Sequence, residues 1–217
     1  MRVAISTLLA KNRLNTGHEE RYLRRVLQTM QQVQQEVEFT VLTHEGNHAK
    51  FEGFERVLVP EGAGMLGSLR GGSPIDRAAK QAKADVLMQA LDTASASPPM
   101  PQVLYALDLA PYEPQAGGQG KKPVGAKTIK KAAAASLTVV VPSEFLRRRC
   151  LELFDTPLNH VMVAHPGVDP TFQEPHETMV AQPYLVAYED SLTFPYLGKV
   201  RETLDQISKE YPHTFVV

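Results

Sequence analysis

Short apolar runs alternate with longer amphipathic ones along this chain. Residues 3–7 form a compact run of the kind found in strands buried on both faces. Thr16-Gly17-His18-Glu19 reads as a capping box, with Thr16 at N-cap and Glu19 at N3. Leu23, Val26, Leu27, Met30, Val33 and Val37 then recur at steps of three and four, which predicts one face of a long helix. Residues 39–43 and 57–59 predict a second and a third strand. Residues 60–73 hold five glycines and Arg70, a loop pattern, and Pro74 suits the first position of a helix. Residues 85–91 and 103–109 predict two more strands, on either side of a Ser/Pro-rich loop at 92–101. Residues 111–125, with three Pro and four Gly, predict a long exposed loop. A short Ala-rich helix at 127–136 and a β-branched strand at 137–141 follow. Ser143 is the expected N-cap of a helix whose apolar face is Leu146, Cys150, Leu153 and Phe154. Residues 161–164 predict a last strand, ended by His165-Pro166-Gly167.

Alternation of this kind predicts βαβ units, and so an α/β fold with a Rossmann-like, doubly wound parallel sheet. Such sheets take ligands outside the carboxyl ends of their strands, which makes the loops at 8–17, 60–73, 110–125 and 165–169 the candidate site walls. The texture changes where Pro170, Pro175 and Pro183 bracket an acidic stretch. Beyond it, residues 184–188 read as a strand, Leu197, Val200, Leu204 and Ile207 as a helix face, and 214–217 as another strand. The expected organisation is a domain over 1–172, a linker over 173–182, and a partial βαβ unit over 183–217. A piece that small does not bury its own two faces. It is expected to pack on the first domain, to pair with a second copy as a homodimer, or to belong to a larger second domain.

Composition narrows the classes. Of 217 residues, 43% are hydrophobic and 22% charged, ordinary values for a globular protein with a core of normal size. The single cysteine excludes an intrachain disulfide framework, and Cys150 reads as core filling rather than as a nucleophile. The apolar start is too short for a signal peptide and reads as a buried strand, so a cytoplasmic protein is expected. The formal charge of −1 hides an asymmetry: residues 121–149 carry eight bases and one acid, residues 150–217 ten acids and three bases. The basic stretch reads either as solvated helix faces or as a surface for phosphates or an anionic membrane. It lacks interleaved aromatics, which argues against nucleic acid. No Gly-x-Gly-x-x-Gly follows the first strand, and no P-loop or Gly-x-Ser-x-Gly motif is present. His44-Glu45-Gly46-Asn47-His48 has the spacing of a zincin motif but reads as a loop rather than a helix, so no metal is expected there. His165 reads as a histidine at a tight turn. Two helix openings, near Gly17 and at Ser143, would direct free backbone N–H groups to one sheet edge, where anions such as phosphate are favoured.

One ordered series of motifs is more specific. Pro142-Ser143-Glu144-Phe145, Arg147-Arg148, Leu153-Phe154 and Val163-Ala164-His165-Pro166-Gly167-Val168-Asp169 resemble the V-S-E-F-S-R-R … V-V-P-N-G-V-D end of the N-terminal domain in GT-B glycosyltransferases of the large retaining family four, or group one. Gly17-His18-Glu19-Glu20-Arg21-Tyr22 is similar to that family's G-G-I-E-R-Y, and Leu107-Asp108-Leu109-Ala110-Pro111 to its H-D-L-x-P. Gln182-Pro183-Tyr184-Leu185-Val186 resembles the first strand of its second domain. The resemblance implies the N-terminal half of a GT-B fold plus a truncated βαβ fragment of the second half. It implies transfer of a sugar from a nucleotide sugar, with retention and without a bound metal or other cofactor, to a saccharide or lipid-linked acceptor. Carried over by motif, Gly17 and His18 would lie near the donor phosphates or the transferred sugar, and Asp108, Ser143 and Arg147 would contact substrate; no catalytic residue is assigned. A basic surface holding such an acceptor would meet the inner membrane face peripherally. The chain departs from the pattern at Leu107, where the family has His, and at His18, where it has a second Gly. The family's donor-site carboxylates and phosphate-binding bases lie beyond residue 217, so this chain alone is expected not to catalyse transfer. Two other readings are a non-catalytic binding or scaffold domain on the same fold, and another nucleotide-using α/β enzyme.

Overall fold

The computed structural model describes residues 1–8, 16–60, 73–109, 112, 126–167, 184–186, 199, 202–203, 205–207 and 214–216. They divide into two units, Met1–Pro166 and Gly167–Val217. The first contains β1 (Arg2–Ser6), α1 (Thr16–Val33), β2 (Glu38–Thr43), β3 (Glu55–Leu58), α2 (Pro74–Gln81), β4 (Val86–Ala90), β5 (Gln102–Tyr105), α3 (Ala126–Ala134), β6 (Thr138–Val141), α4 (Glu144–Phe154) and β7 (Val161–Val163). All seven strands are parallel, in the order β3-β2-β1-β4-β5-β6-β7. The order turns back between β1 and β4, so the expected α/β, doubly wound Rossmann-like sheet is present.

Both faces of the sheet are packed, which is why its strands read as apolar runs rather than as alternations. On one face Val3, Ile5, Phe39 and Val41 meet Leu27 of α1 and Phe51, and Ala90 and Tyr105 meet Leu23. On the other, Ala4, Leu42 and Leu87 meet Ile75, Ala78 and Ala79 of α2. Further along that face Leu104, Val139 and Val141 pack on Ala132 and Ala133 of α3 and on Cys150 and Phe154 of α4.

Local signals set the helix ends. Ser73 and Asp76 form a reciprocal capping box around Pro74, the first residue of α2. Ser143 Oγ accepts from the Leu146 N–H at 3.2 Å and caps α4, which Asp155 ends in the left-handed region at φ 52°. The long helix stops earlier than its apolar spacing predicts. Val33 is 68% exposed, and Val37 lies past the helix end, packed beneath β2. The strand expected over 103–109 ends at Tyr105. Leu109 and Tyr112 leave it for the core, where the Tyr112 ring meets Phe154 edge-on at 5.7 Å.

Between β4 and β5 the chain returns over the α3 face with one short 3-10 turn, Leu91–Thr93, and no α-helix. Gln102 carries that crossover. Its Nε2 donates to the carbonyls of Ser95 (2.9 Å) and Ala132 (3.2 Å), and its Oε1 accepts from Gln89 Nε2 at 3.0 Å. Both glutamines are fully buried, and Gln89 Oε1 is left without a partner.

In the second unit β8 (Tyr184–Val186) and β9 (Thr214–Val216) pair in parallel, with helical residues at 199, 202–203 and 205–207 between them. The linker over 173–182, and the expected helix-face residues Leu197, Val200 and Leu204, lie outside the described residues.

Candidate functional site

Seven parallel strands place every strand-to-helix connection of the first unit on one rim, the carboxyl edge of the sheet. α1 follows β1 and α4 follows β6, so both helices open on that rim. The two strands are three steps apart, about 14 Å at ordinary strand spacing.

A polar knot fixes the exit of β1. Tyr105 Oη donates to the Ser6 carbonyl at 3.0 Å, and Ser6 Oγ accepts from the Leu8 N–H at 3.2 Å. The Thr7 N–H and hydroxyl both donate to the Leu42 carbonyl, each at 2.9 Å. Asn47, wholly buried in the turn after β2, donates from Nδ2 to Thr7 Oγ1 at 2.9 Å and accepts the His44 N–H at 3.0 Å. That turn is tied to α1 as well, by Lys50 Nζ on the buried carboxylate of Glu20 at 2.5 Å. Thr43 Oγ1 stands 2.6 Å from His48 Nδ1, and Arg56 donates to the His48 carbonyl.

The site residues expected from the sequence fall as follows. Gly17 and His18 are in the first turn of α1, after β1. Their side-chain surroundings, and the capping box of Thr16 and Glu19, lie outside the described residues. Asp108 is half-buried three residues past β5, held between the buried Ala106 and Leu109; the Ala106 N–H donates to the Val140 carbonyl at 2.9 Å. Ser143 caps α4 at the rim. Arg147 is turned to the connection that enters β7: its guanidinium donates to Glu144 and to the Leu158 carbonyl, both at 3.3 Å.

His165 joins this group. Its Nδ1 lies 3.1 Å from the Pro142 carbonyl, the residue before the α4 cap. A carbonyl only accepts, so Nδ1 carries a proton there. Cys150 is buried in the core below, and burial pushes its thiol up to about 11, so it holds no nucleophile at neutral pH. The polar knot at the ends of β1 and β2 could not be read from the sequence. Its side chains are an ordinary Ser6, Thr7, Asn47 and Tyr105, and only the strand register brings them together.

Among solved structures, the chain is similar to a glycosyltransferase from Rickettsia africae ESF-5, with a TM-score of 0.57 at 10% identity over 99% of this chain and 67% of that one. It is equally similar to Anabaena Alr3699/HepE, solved in complex with UDP: TM-score 0.57, 10% identity, 99% of this chain and 68% of the other. This chain shares their fold. No family model matches it, and no curated protein does. Among the described residues no helix is long and apolar enough to cross a membrane.

Proposed function

We propose that this chain is the acceptor-binding part of a glycosyltransferase that moves a sugar from a nucleotide sugar with retention, as in the family-four GT-B enzymes. The observation that carries the reading is the fold likeness over 99% of the chain to a glycosyltransferase and to a UDP complex. The rim supports it in physical terms. A departing nucleoside diphosphate gains negative charge, and helix-opening N–H groups favour charge that develops beside them. In this reading Gly17 and His18 face the diphosphate, and Asp108 and Ser143 face the sugars. Arg147 acts by bracing α4 beneath its cap, and no metal or other cofactor takes part.

The reading extends to a cytoplasmic protein that touches an anionic membrane carrying a lipid-linked acceptor. Lys127, Lys131 and Arg148 support this, because none of them has an acidic partner among the described residues. Vesicle binding is then expected to rise with anionic lipid and to fall with salt. A homodimer formed through the 183–217 piece would show as a concentration-dependent mass in ultracentrifugation.

The direct test is titration of the isotope-labelled chain with UDP, UDP-sugars, NAD and S-adenosylmethionine. UDP or a UDP-sugar is expected to move the amide signals of Gly17 and Ser143. Movement with NAD or S-adenosylmethionine alone would favour another nucleotide-using enzyme, and no movement with any of these or with chitotriose as an acceptor probe would favour a scaffold.

A further inference from the structure

The turn that leaves β2 holds one imidazole in a single tautomer. His44 Nδ1 lies 3.1 Å from the Gly46 nitrogen, whose N–H can only donate. Nδ1 is therefore unprotonated, and the ring proton sits on Nε2. The backbone closes the same turn, with the His44 carbonyl accepting from Asn47 N at 3.1 Å and His48 N at 2.9 Å. A Cβ at position 46 would stand 3.0 Å from His44 Cε1 and 3.2 Å from Nδ1, close enough to press the ring off the turn. The ring thus lies against the turn, and the backbone N–H of His44 joins, through Asn47 Oδ1, the knot that sets the exit of β1. His44 is half-buried, and among the described residues nothing accepts from its Nε2–H. The register pairs Ser6 with Leu42, which brings His44 level with Leu8 where the loop to α1 begins.

We propose that His44 is a positioning residue of the rim site, its outward Nε2–H donating a hydrogen bond to a substrate oxygen. This rests on the glycosyltransferase reading, which supplies ligands rich in accepting oxygens, on phosphates and on sugars alike. The donor is neutral and its direction is fixed by the turn, so binding it costs little side-chain entropy. β2 is four strand steps from β6, about 19 Å, so His44 and Ser143 hold the same molecule only if that molecule is extended.

Two variants separate the ring's two nitrogens. His44→Asn keeps an oxygen where Nδ1 accepts the Gly46 N–H, and its Nδ2 stops short of the place of Nε2. His44→Gln keeps an amide N–H near the place of Nε2 and gives up the turn acceptor. UDP and chitotriose, titrated separately, are read on the nitrogen-15 signals of the His44 ring and on the Ser143 amide. The free protein should show the Nε2–H tautomer. One of the two probes should move the His44 Nε2 signal, UDP marking a phosphate partner and chitotriose a hydroxyl. His44→Asn should then weaken that probe about tenfold at unchanged Tm, the loss of one good hydrogen bond. His44→Gln should hold affinity within about twofold while lowering Tm. Movement at Ser143 with a silent His44, or wild-type affinity in His44→Asn, overturns the inference and leaves the glycosyltransferase reading standing. Silence at both positions overturns the two together.

Discussion

Tyr105 Oη donates to the carbonyl of Ser6 at 3.0 Å, and so ties the end of β5 to the end of β1 over the intervening β4. Both residues are buried, so the bond is made out of reach of water. Tyr105→Phe keeps the ring against Leu23 and Ala90 and strands the Ser6 carbonyl. A buried acceptor left unpaired costs about 1–3 kcal/mol. Urea unfolding should show a midpoint lowered accordingly at unchanged m.

The two buried glutamines are expected to differ in worth. Gln102→Leu strands the carbonyls of Ser95 and Ala132 together with Gln89 Nε2. Gln89→Leu strands only Gln102 Oε1, and removes the orphaned Gln89 Oε1. At about 1–3 kcal/mol for each stranded buried group, and less for the half-buried Ser95 carbonyl, Gln102→Leu should be the more damaging by at least about 1 kcal/mol. Equal midpoints for the two variants would contradict this account of the crossover.

Asp155 ends α4 at φ 52°, a conformation that favours glycine, and it accepts Lys130 Nζ at 2.9 Å. The lysine's hydrogen bond, and then its charge, hold the Asp155 carboxyl below its ordinary range. A depressed carboxyl stabilises the fold above its unfolded pKa, and that contribution disappears as pH falls through the folded one. The pair is exposed and worth little. Asp155→Gly is therefore expected to raise Tm at neutral pH, because relief of the left-handed backbone outweighs the lost pair. The gain should grow in acid, where the pair is already gone. Lys130→Met should return the Asp155 titration, followed by carboxyl NMR, to the usual carboxylate range.

Cys150 should be silent toward a thiol reagent until the fold opens. Burial holds its thiol near 11, which leaves about a hundredfold less thiolate at pH 8 than a free cysteine has. Its position between α4 and the sheet blocks approach as well. Labelling at pH 8 should follow the unfolding curve; rapid labelling of the native chain would show that α4 lifts off the sheet.

The strands and their parallel, doubly wound sheet were legible from the sequence because a sheet packed on both faces writes itself as apolar runs, and Ser73-Pro74 and Pro142-Ser143 mark helix starts by their own chemistry. Val33 and Val37 misled because the spacing of apolar residues carries on past the point where the helix meets no more sheet. Leu107 and Leu109 misled in the opposite way: they look like strand, but Leu109 and Tyr112 are drawn into the core beside Phe154. The rim's finer contents depend on register. Neither the Asn47–Thr7 bond, forty residues apart, nor the Arg147–Leu158 contact has any local pattern. His44 was read only as a poor metal ligand, because its neighbour Gly46 gains meaning once the ring is seen lying on it.

The crossover between β4 and β5 also limits how this protein can be re-engineered. A helical connection brings its own internal bonds and travels as a module. The eleven residues from Leu91 to Pro101 bring one 3-10 turn and few bonds of their own, and Ser95 relies on an amide that belongs to the next strand. Transplanting that segment into a related scaffold without Gln102 would leave a carbonyl dry, and swapping a foreign segment in here would leave Gln102 with a donor that has nowhere to go.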